Sequence, residues 1–403
     1  MNNSFPVSER VAAMKMSSTL KAGQIAAELR EQGFDVIDLT LGEPDFQTPE
    51  FVKDLAWEGL QKGLTKYTPT AGLKSFKEAI VHFYTEQFGA SFSPEEVTAS
   101  DGGKQALFNA ACTLLNPGDE VLIPKPYWVT FPEIVKFCGA ESVFIETEET
   151  NFVLTAEQVR NAITDNTRLL IINSPNNPTG SVVPPDEMRK IVATCAERGV
   201  YVLTDECYLF FVYSPGEVFT SAALPDDLRK FVCVAGSFSK TYAMTGWRIG
   251  YTIANKEWTK QITKLQSHST SHPTSFVQYA CARAMEQPQK SIESVEFMLS
   301  HYIKRRDFLI PALQSIDGFK CAMPEGAFYA FVDVREMLGD KFKTSADVAD
   351  FLLTEAQIVV TDGEGFGADG FLRISYATSL ENLQTAVERM QNLFNPETHK
   401  VAG

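Results

Sequence analysis

Lys240 and Arg248 are the residues whose types and spacing first suggest chemistry in this chain. They lie eight positions apart in SFSKTYAMTGWRIGY, residues 237–251, among small, flexible and aromatic residues. A lysine amine can form a Schiff base with a carbonyl group once burial or a cationic neighbour lowers its pKa, and the planar fork of an arginine suits a phosphate. One ligand with an aldehyde and a phosphate, pyridoxal 5'-phosphate, would satisfy both. Two ordinary solvated charges are the alternative, which the segment alone leaves open.

A second segment, DGGKQALFNAACTLL, places two glycines and a lysine directly before a strongly helical run at residues 101–115. Backbone amides at a helix start bind anions without a side-chain charge, and glycine permits close approach of the ligand. The segment therefore predicts a phosphate site, with an ordinary loop and helix cap as the alternative.

Two further segments follow apolar runs that are typical of strands. In SPNNPTG, the proline after Asn177 favours an extended backbone and a rigid turn, so that an amide projects from the end of a strand. In TDECY, Asp205 ends the next run, where a carboxylate can hold a ring nitrogen protonated, and Tyr208 adds a phenolic donor. A simple turn and a helix N-cap are the alternatives for these two segments.

The order of apolar and amphipathic segments predicts the elements that position these groups. Strands are predicted at residues 120–124, 141–146, 169–173, 200–206 and 231–237. Amphipathic stretches such as residues 184–199 separate most of them and have helical spacing. Strands this apolar, alternating with helices, indicate an α/β fold with a mostly parallel central sheet covered on both faces. Ligands bind at the carboxyl edge of such sheets, and four successive strand ends would present there a helix start, an amide, a carboxylate and an amine.

The pattern changes near residue 290, which predicts a second, smaller α+β domain. A long helix is followed by the apolar runs FYAFVDV and FLRISYA and by a final amphipathic helix from Leu380 to Phe394. We expect a large cofactor-binding domain at residues 46–290 and a small domain at residues 291–403, with an N-terminal segment, residues 1–45, packing on the small domain.

Composition excludes several classes of function. The 403 residues carry a net charge of −15, which argues against nucleic acid or an anionic membrane as a partner. The seven cysteines are scattered without a C-x-x-C pair, and the five histidines lack metal-ligand spacing, so no disulfide framework and no metal site are expected. With no apolar leader or membrane-length run, a cytoplasmic location is expected.

Two short motifs match unrelated chemistry. Residues 237–240 fit the S-x-x-K of serine acyl-enzymes, but the S-D-N and K-T-G companions are absent. GFGADG at residues 365–370 fits G-x-G-x-x-G, but the following FLRISYA predicts a strand, whereas a dinucleotide site needs a helix there. Neither motif is therefore assigned a function.

Taken together, the segments resemble the class I/II aminotransferases of PLP fold type I, and within them the bacterial-type aspartate aminotransferase subgroup. The likeness covers nearly the whole chain through LGEPDF, KYTPTAG, GGKQALFN, PYWVTFPE, SPNNPTG, TDECY, SFSKTYAMTGWRIGY, PEGAFY and LRISYA, in the family's order. It implies a homodimer with active sites at the subunit interface. Two departures are the loop around Gly363, where many relatives have a preceding proline, and Cys207, which replaces an aliphatic residue and is expected to be buried and inert.

The resemblance also implies roles for individual residues at the cofactor. Lys240 would form the Schiff base and then act as the base that moves a proton, and Asp205 would hold the pyridinium. Asn177 and Tyr208 would donate to the ring oxygen, and Trp128 would stack on the ring. The residues implied to hold or flank the phosphate are Gly103, Lys104, Ser237 and Arg248, with Tyr67 reaching it from the other subunit.

For the substrate, the resemblance implies that Arg373 grips the α-carboxylate with Gly42 behind it, in a pocket that Asn177 and Trp128 also line. Lys104 would contact the distal carboxylate, since LQSHSTSHPTSF lacks the arginine that animal-type enzymes use there. The residues expected to help are Ser18 or Thr19 and His272 of the partner subunit. These residues predict transfer from aspartate to 2-oxoglutarate. The alternatives are prephenate, arogenate or aromatic substrates, another reaction of the same cofactor such as β-elimination or decarboxylation, and a non-catalytic ligand-binding relative.

Overall fold

A computed structural model describes residues 5–16, 18–214 and 218–395, with backbone only for residues 18–22. The strands are β1 (Ile37–Asp38), β2 (Val97–Ser100), β3 (Glu120–Lys125), β4 (Glu141–Glu146), β5 (Thr167–Asn173), β6 (Tyr201–Asp205), β7 (Val232–Ser237), β8 (Gly250–Ala254), β9 (Lys320–Cys321), β10 (Tyr329–Asp333), β11 (Ile358–Val359), β12 (Thr361–Asp362) and β13 (Phe371–Ser375). The α-helices are α1 (Glu9–Ala12), α2 (Ser18–Glu31), α3 (Glu50–Gln61), α4 (Lys74–Phe88), α5 (Gly102–Cys112), α6 (Thr130–Cys138), α7 (Ala156–Ala162), α8 (Pro185–Glu197), α9 (Asp226–Arg229), α10 (Phe238–Thr241), α11 (Lys256–Ser267), α12 (Ser275–Met285), α13 (Pro288–Gln314), α14 (Ser345–Ala356) and α15 (Leu380–Phe394).

A seven-stranded sheet with the order β2-β8-β7-β6-β5-β3-β4 forms the centre of the fold. β8 alone runs opposite to the other six strands, so the predicted mostly parallel α/β sheet is confirmed. All six residues of β7 and all five of β8 are buried, which explains why these strands are apolar on both faces. The five predicted strands are β3 to β7, whereas β2 and β8 were not predicted.

Helices cover both faces of this sheet because each has one apolar stripe. In α8 the buried positions include Met188, Ile191, Val192 and Cys195, which recur at intervals of three and four residues. The helix prediction at residues 184–199 therefore holds, with an end two residues earlier at Glu197. The parallel crossovers bring the carboxyl ends of β5, β6 and β7 to one edge of the sheet.

A second sheet, with the antiparallel order β12-β13-β10-β9, lies in the C-terminal third of the chain. A separate parallel pair joins β1, from the N-terminal segment, to β11. Ala26 on α2 and Val36 pack against Val359 of β11, so this segment contacts C-terminal elements. The domain limits at residues 46 and 291 stay a prediction.

Two contacts fix the loops around the carboxyl edge. Arg305 of α13 donates to both carboxylate oxygens of Asp45 at 2.7 Å, which anchors the LGEPDF turn to the helix. Loss of Asp45 would leave the buried guanidinium of Arg305 without its ionic partner. The carbonyl of Gly180, in SPNNPTG, accepts from the amides of Glu325 and Gly326 at 3.0 and 2.8 Å, so the turn is held against the PEGAFY segment.

Candidate active site

A cavity of about 700 Å³ lies at the carboxyl edge of the central sheet. The predicted site residues that line it are Gly42, Gly103, Lys104, Trp128, Asn177, Asp205, Tyr208, Ser237, Lys240, Arg248 and Arg373. These positions span more than 330 residues of sequence, from Gly42 to Arg373, so only the fold brings them together. Thr19 and Ser18 have side chains outside the described residues.

Strand register sets the positions of three of the predicted groups. Asn173, Asp205 and Ala235 are partners across β5, β6 and β7. The Asn173 side chain donates to the Asp205 carbonyl at 3.0 Å and accepts from the Asn177 amide at 2.7 Å, which ties the turn after β5 to the end of β6. Lys240 follows the end of β7 on the short helix α10.

The start of α5 forms a close-packed cradle. Gly102 has φ +79°, and a Cβ there would lie 2.5 Å from Nη2 of Arg248, while a Cβ on Gly250 would lie 2.8 Å from the Gly103 nitrogen. Arg248, itself in the left-handed region at φ 55°, donates to the carbonyls of Thr245 and Asp101 at 2.8 and 3.2 Å. Helix amides and a positioned guanidinium thus meet at one place, which is the chemistry that a phosphate needs.

Asp205 is 4% exposed, and burial raises the pKa of its carboxyl group from 3.8 to about 6. The Cys207 amide donates to Oδ1 at 3.1 Å, and the charge of Lys240 opposes the rise in pKa more weakly. A cationic ring nitrogen beside this carboxylate would offset its cost of burial.

Lys240 also lies in a water-poor environment. Its Nζ donates to the Gly42 carbonyl, and burial lowers the pKa of the amine. A lowered pKa increases the fraction of neutral amine, the form that attacks a carbonyl carbon. The geometry therefore suits the nucleophile that the sequence predicts at this position.

Arg373 of β13 is 2% exposed and has only part of its hydrogen-bonding capacity satisfied. It donates to Oδ1 of Asn177 at 3.0 Å and to the Thr40 carbonyl at 2.7 Å, while its Nε has no hydrogen-bond partner among the described residues. The guanidinium stacks on the Tyr329 and Phe366 rings at 4.6 and 5.0 Å. A buried arginine with a free donor is suited to bind a carboxylate.

Lys104 lies in the first turn of α5, beside Trp128. Its Nζ is 5.0 Å from the centre of the Trp128 ring, and no hydrogen bond or ion pair of Lys104 is formed within the described ranges. Burial, then the charge of Arg248, lowers its pKa. Lys104 is thus a second cation of the cavity, and its donors have no hydrogen-bond partner among the described residues.

Sequence reasoning missed several lining residues. Tyr329 lies close to Gly42 in space, since a Cβ on Gly42 would lie 3.1 Å from the Tyr329 hydroxyl, and that hydroxyl is 2.7 Å from the hydroxyl of Tyr208. Thr40, Gln24 and other parts of the N-terminal segment also line the cavity. The tyrosine in PEGAFY was the available signal for Tyr329, whereas no motif marks Gln24.

Tyr67 and His272 lie outside this cavity, at a separate open depression of about 710 Å³. Tyr67 is 92% exposed, and its ring meets His272 edge-on at 5.6 Å. His272 accepts from the Thr68 amide at Nε2 and donates to the Pro273 carbonyl from Nδ1. Asp101 also lines the depression and precedes α5, so the depression lies beside the cradle.

Cys207 is half-buried in the main cavity, and burial raises the pKa of its thiol well above the ordinary value, which fits the expected inert role. Within residues 5–16, 18–214 and 218–395 there is no cluster of three or more His, Cys, Asp or Glu side chains that could hold a metal ion. No helix in the part of the chain that the structure describes is long and apolar enough to span a bilayer.

Residues 35–390 match the protein family described as aminotransferase class I and II. The chain belongs to this family. It is 42% identical over 386 residues to an aspartate aminotransferase of Bacillus sp. (strain YM-2), a match that covers 95% of this chain and 98% of the relative. It is 41% identical to the aspartate/prephenate aminotransferase of Thermus thermophilus, covering 95% and 97% of the two chains.

Solved structures agree with these relatives. Aspartate aminotransferase from Thermus thermophilus with maleate superposes with a TM-score of 0.91 at 41% identity, covering 96% of this chain and 99% of that one. The aspartate aminotransferase from Rhizobium meliloti gives 0.91 at 38% identity, covering 96% and 98%. The protein is therefore a fold type I aminotransferase that depends on pyridoxal 5'-phosphate.

The described residues fit this cofactor. The glycine cradle at α5 leaves space and amides for a phosphate, Asp205 is a buried carboxylate without a cationic hydrogen-bond partner, and Lys240 supplies an amine on the same cavity wall. The free Nε of Arg373 is left for a further anion in the same cavity.

We predict that Asp205→Asn stabilises the cofactor-free protein at alkaline pH. Burial raises the folded-state pKa, so the favourable contribution of Asp205 is present below the unfolded pKa and is lost as pH rises through about 6. The variant should unfold with a free energy up to about 3 kcal/mol higher than wild type at pH 8, with no difference below about pH 4. Urea unfolding at several pH values measures this.

Asp227→Asn, on an exposed surface helix, is the matched control and should show no such pH-dependent gain. Added pyridoxal 5'-phosphate should stabilise wild type more than Asp205→Asn, because only the carboxylate can pair with a ring cation. An apo variant no more stable than wild type at pH 8 would contradict the account of Asp205.

Proposed function

We propose that this aminotransferase moves the amino group of aspartate to 2-oxoglutarate, giving oxaloacetate and glutamate in two half-reactions. The observation that carries the proposal is the pair of cations, Arg373 and Lys104, which line one cavity and keep donors that no described residue occupies. Each substrate of this reaction has two carboxylates. Relatives named aspartate aminotransferase, 42% identical to this chain, support the assignment.

Arg373 is the group proposed to bind the α-carboxylate. Its fork is already oriented by Asn177 and the Thr40 carbonyl, and two aromatic rings keep water from its faces. Orientation before binding lowers the entropy lost when the substrate is fixed. Lys104 is proposed to bind the distal carboxylate, with Thr19 and the partner's His272 as further predicted contacts.

The cofactor, when bound, supplies an aldehyde that accepts the amino group and a ring that withdraws electrons from the substrate Cα. Asp205 is proposed to hold the ring nitrogen protonated, since its pKa of about 6 leaves it ionised at neutral pH. Asn177 and Tyr208 are proposed to donate to the ring oxygen, and Trp128 to cover the ring face. Gly103, Ser237 and Arg248 are proposed to hold the phosphate.

Lys240 is proposed both to hold the cofactor and to move the proton. Its amine, with a pKa lowered by burial, can accept the proton from the substrate Cα while neutral and release it as an ammonium group. The Gly42 carbonyl that accepts from Nζ orients the amine toward the cavity. Burial of the site limits exchange of this proton with bulk water.

We further propose a homodimer in which Tyr67 reaches the phosphate of the partner subunit. Trp57 on α3 is 62% exposed, and Tyr67, which follows the helix, is 92% exposed. Large exposed aromatic residues are typical of interfaces. The open depression beside Asp101 gives the partner a place to approach the cradle.

A reducing compartment, the cytoplasm, is the proposed location, since the cysteines are free thiols.

Prephenate is the second candidate amino acceptor, with arogenate as the corresponding donor. The relatives from Thermus thermophilus and Nitrosomonas europaea are named aspartate/prephenate aminotransferases. Leu107 and Trp128 give the cavity near Lys104 an apolar wall that could pack against a ring. A screen of aspartate, tyrosine, alanine and arogenate as donors to 2-oxoglutarate distinguishes the candidates.

Lys104→Met should lower kcat/KM for aspartate about 100-fold and leave kcat/KM for alanine within about threefold. The variant keeps the aliphatic stem beside Trp128 but removes the charge, and an ion pair of this kind is worth a few kcal/mol of discrimination. Steady-state kinetics with 2-oxoglutarate as acceptor measures both values. Lys190→Met, an exposed lysine on α8 away from the cavity, is the control and should change neither. An unchanged aspartate-to-alanine preference would refute the role of Lys104.

Mixed dimers test whether Tyr67 acts across subunits. Neither Tyr67→Ala nor Lys240→Ala should give a fully competent site as a homodimer. A mixed dimer that carries one variant in each chain should regain about half of the wild-type activity per dimer, because one site then has both residues. Differently tagged chains, co-expressed and purified by both tags, provide the sample. Activity no higher than that of the Tyr67→Ala homodimer would mean that Tyr67 acts within its own chain or not at all.

A further inference from the structure

Cys112 and Cys138 are in contact at a place the transamination chemistry does not use. Their sulfur atoms are 3.4 Å apart, and both thiols are only partly buried. No other two cysteine sulfurs are in contact among the described residues, and Cys195, Cys233 and Cys281 are fully buried. The pair is therefore more accessible than these three cysteines, and among the described residues it differs from half-buried Cys207 in having a sulfur partner.

The two cysteines are the last residues of α5 and α6. Phe108 lies one turn before Cys112, and Phe137 lies one residue before Cys138. The centres of their rings are 4.9 Å apart, and this contact holds the two helix ends together. The opposite end of α5 carries Lys104, and Trp128 lies just before α6. The stretch from Lys104 to Cys112 corresponds to about 12 Å of helix, so a change at the sulfurs would not touch the cavity.

The two thiols are not equivalent. The hydrogen bond with Cys112, then the nearby charge of Arg10, lowers the pKa of the Cys138 thiol, whereas the same bond raises the pKa of Cys112. Residues of the N-terminal segment supply that charge, and the Lys15 amide bonds to Glu133 of α6 at 2.8 Å. A thiol with a lowered pKa and partial access is the one that reacts first.

We propose that Cys112 and Cys138 are a reversible disulfide site that reacts with low-molecular-weight disulfides and joins the ends of α5 and α6. The Cys138 thiolate attacks one sulfur of the small disulfide, which forms a mixed disulfide and releases one small thiolate. Cys112 then loses its proton, attacks the Cys138 sulfur and displaces the second small thiolate. Two electrons pass from the protein thiols to the small disulfide, and two small thiols result.

The crosslink joins residues 26 positions apart and so restricts the unfolded chain. Because the sulfurs are already in contact, closing them to a bond length of about 2 Å needs only a small movement. We therefore expect the oxidised holoenzyme to melt about 4 °C higher than the reduced enzyme. Activity with aspartate should stay within about twofold, since neither sulfur lines the cavity.

The test uses the holoenzyme treated with glutathione disulfide, followed by alkylation of free thiols and peptide mapping without reduction. We expect one linked species that contains Cys112 and Cys138, its loss with dithiothreitol, and the rise in melting temperature. Cys112→Ser should accumulate the mixed disulfide on Cys138, whereas Cys138→Ser should leave Cys112 free. Cys321→Ala, in the small sheet, is the matched control and should still form the link.

Any one of the following results would overturn the proposal. Both cysteines could still be fully alkylated after treatment with glutathione disulfide. The link could instead join two chains or involve another cysteine. The linked enzyme could melt no higher than the reduced one, which would exclude stabilisation by the crosslink. Mixed disulfide on Cys112 of Cys138→Ser, with none on Cys138 of Cys112→Ser, would contradict the order of attack.

Discussion

The register of β5, β6 and β7 is the constraint on which the active site depends. It aligns Asn173, Asp205 and Ala235 in one row across the sheet. Because parallel strands end at the same edge, the turn after β5, the carboxylate ending β6 and the lysine after β7 open into one cavity. A slip of one residue in β6 would turn Asp205 to the other face of the sheet and separate it from Lys240. The backbone pairing of these strands therefore determines where the catalytic side chains lie.

The same arrangement places charges where water is scarce, and the surroundings offset only part of the cost. Arg373 has two protein acceptors and two aromatic faces but keeps a free Nε, while Asp205 accepts from the Cys207 amide and Lys240 donates to a single carbonyl. Unpaired buried groups destabilise the folded chain, and a ligand that supplies the missing partners gains that energy on binding. The buried charges of the site thus lower the stability of the empty protein and raise its affinity for an anionic, ring-bearing cofactor and its acid substrates.

The sequence predicted those parts of the site that adjoin predictable elements. Asp205 ends and Lys240 follows an apolar run that could be recognised as a strand, and Gly103 lies in the first turn of a clear helix, so their convergence followed from parallel topology. Tyr329 lies in the predicted run FYAFVDV, but nothing in that run indicates that its hydroxyl lies 2.7 Å from the hydroxyl of Tyr208. Tyr67 and His272 were expected to act at the partner subunit's site, and in the single chain they lie in a depression beside its own cavity. Their proposed roles need a second subunit. The hydrophobic pattern of one chain predicts its own helices and strands but not where a second subunit lies.

The attachment point of the cofactor tests the central claim most directly. Lys240 and Lys104 line the same cavity, and burial lowers the pKa of both amines, so each is a chemically reasonable nucleophile. Borohydride reduction of the pyridoxal 5'-phosphate holoenzyme, followed by peptide mapping, locates the covalent adduct. The account predicts that the adduct is on Lys240 and is absent from Lys240→Ala. A covalent adduct on Lys104, or one that persists in Lys240→Ala, would contradict it.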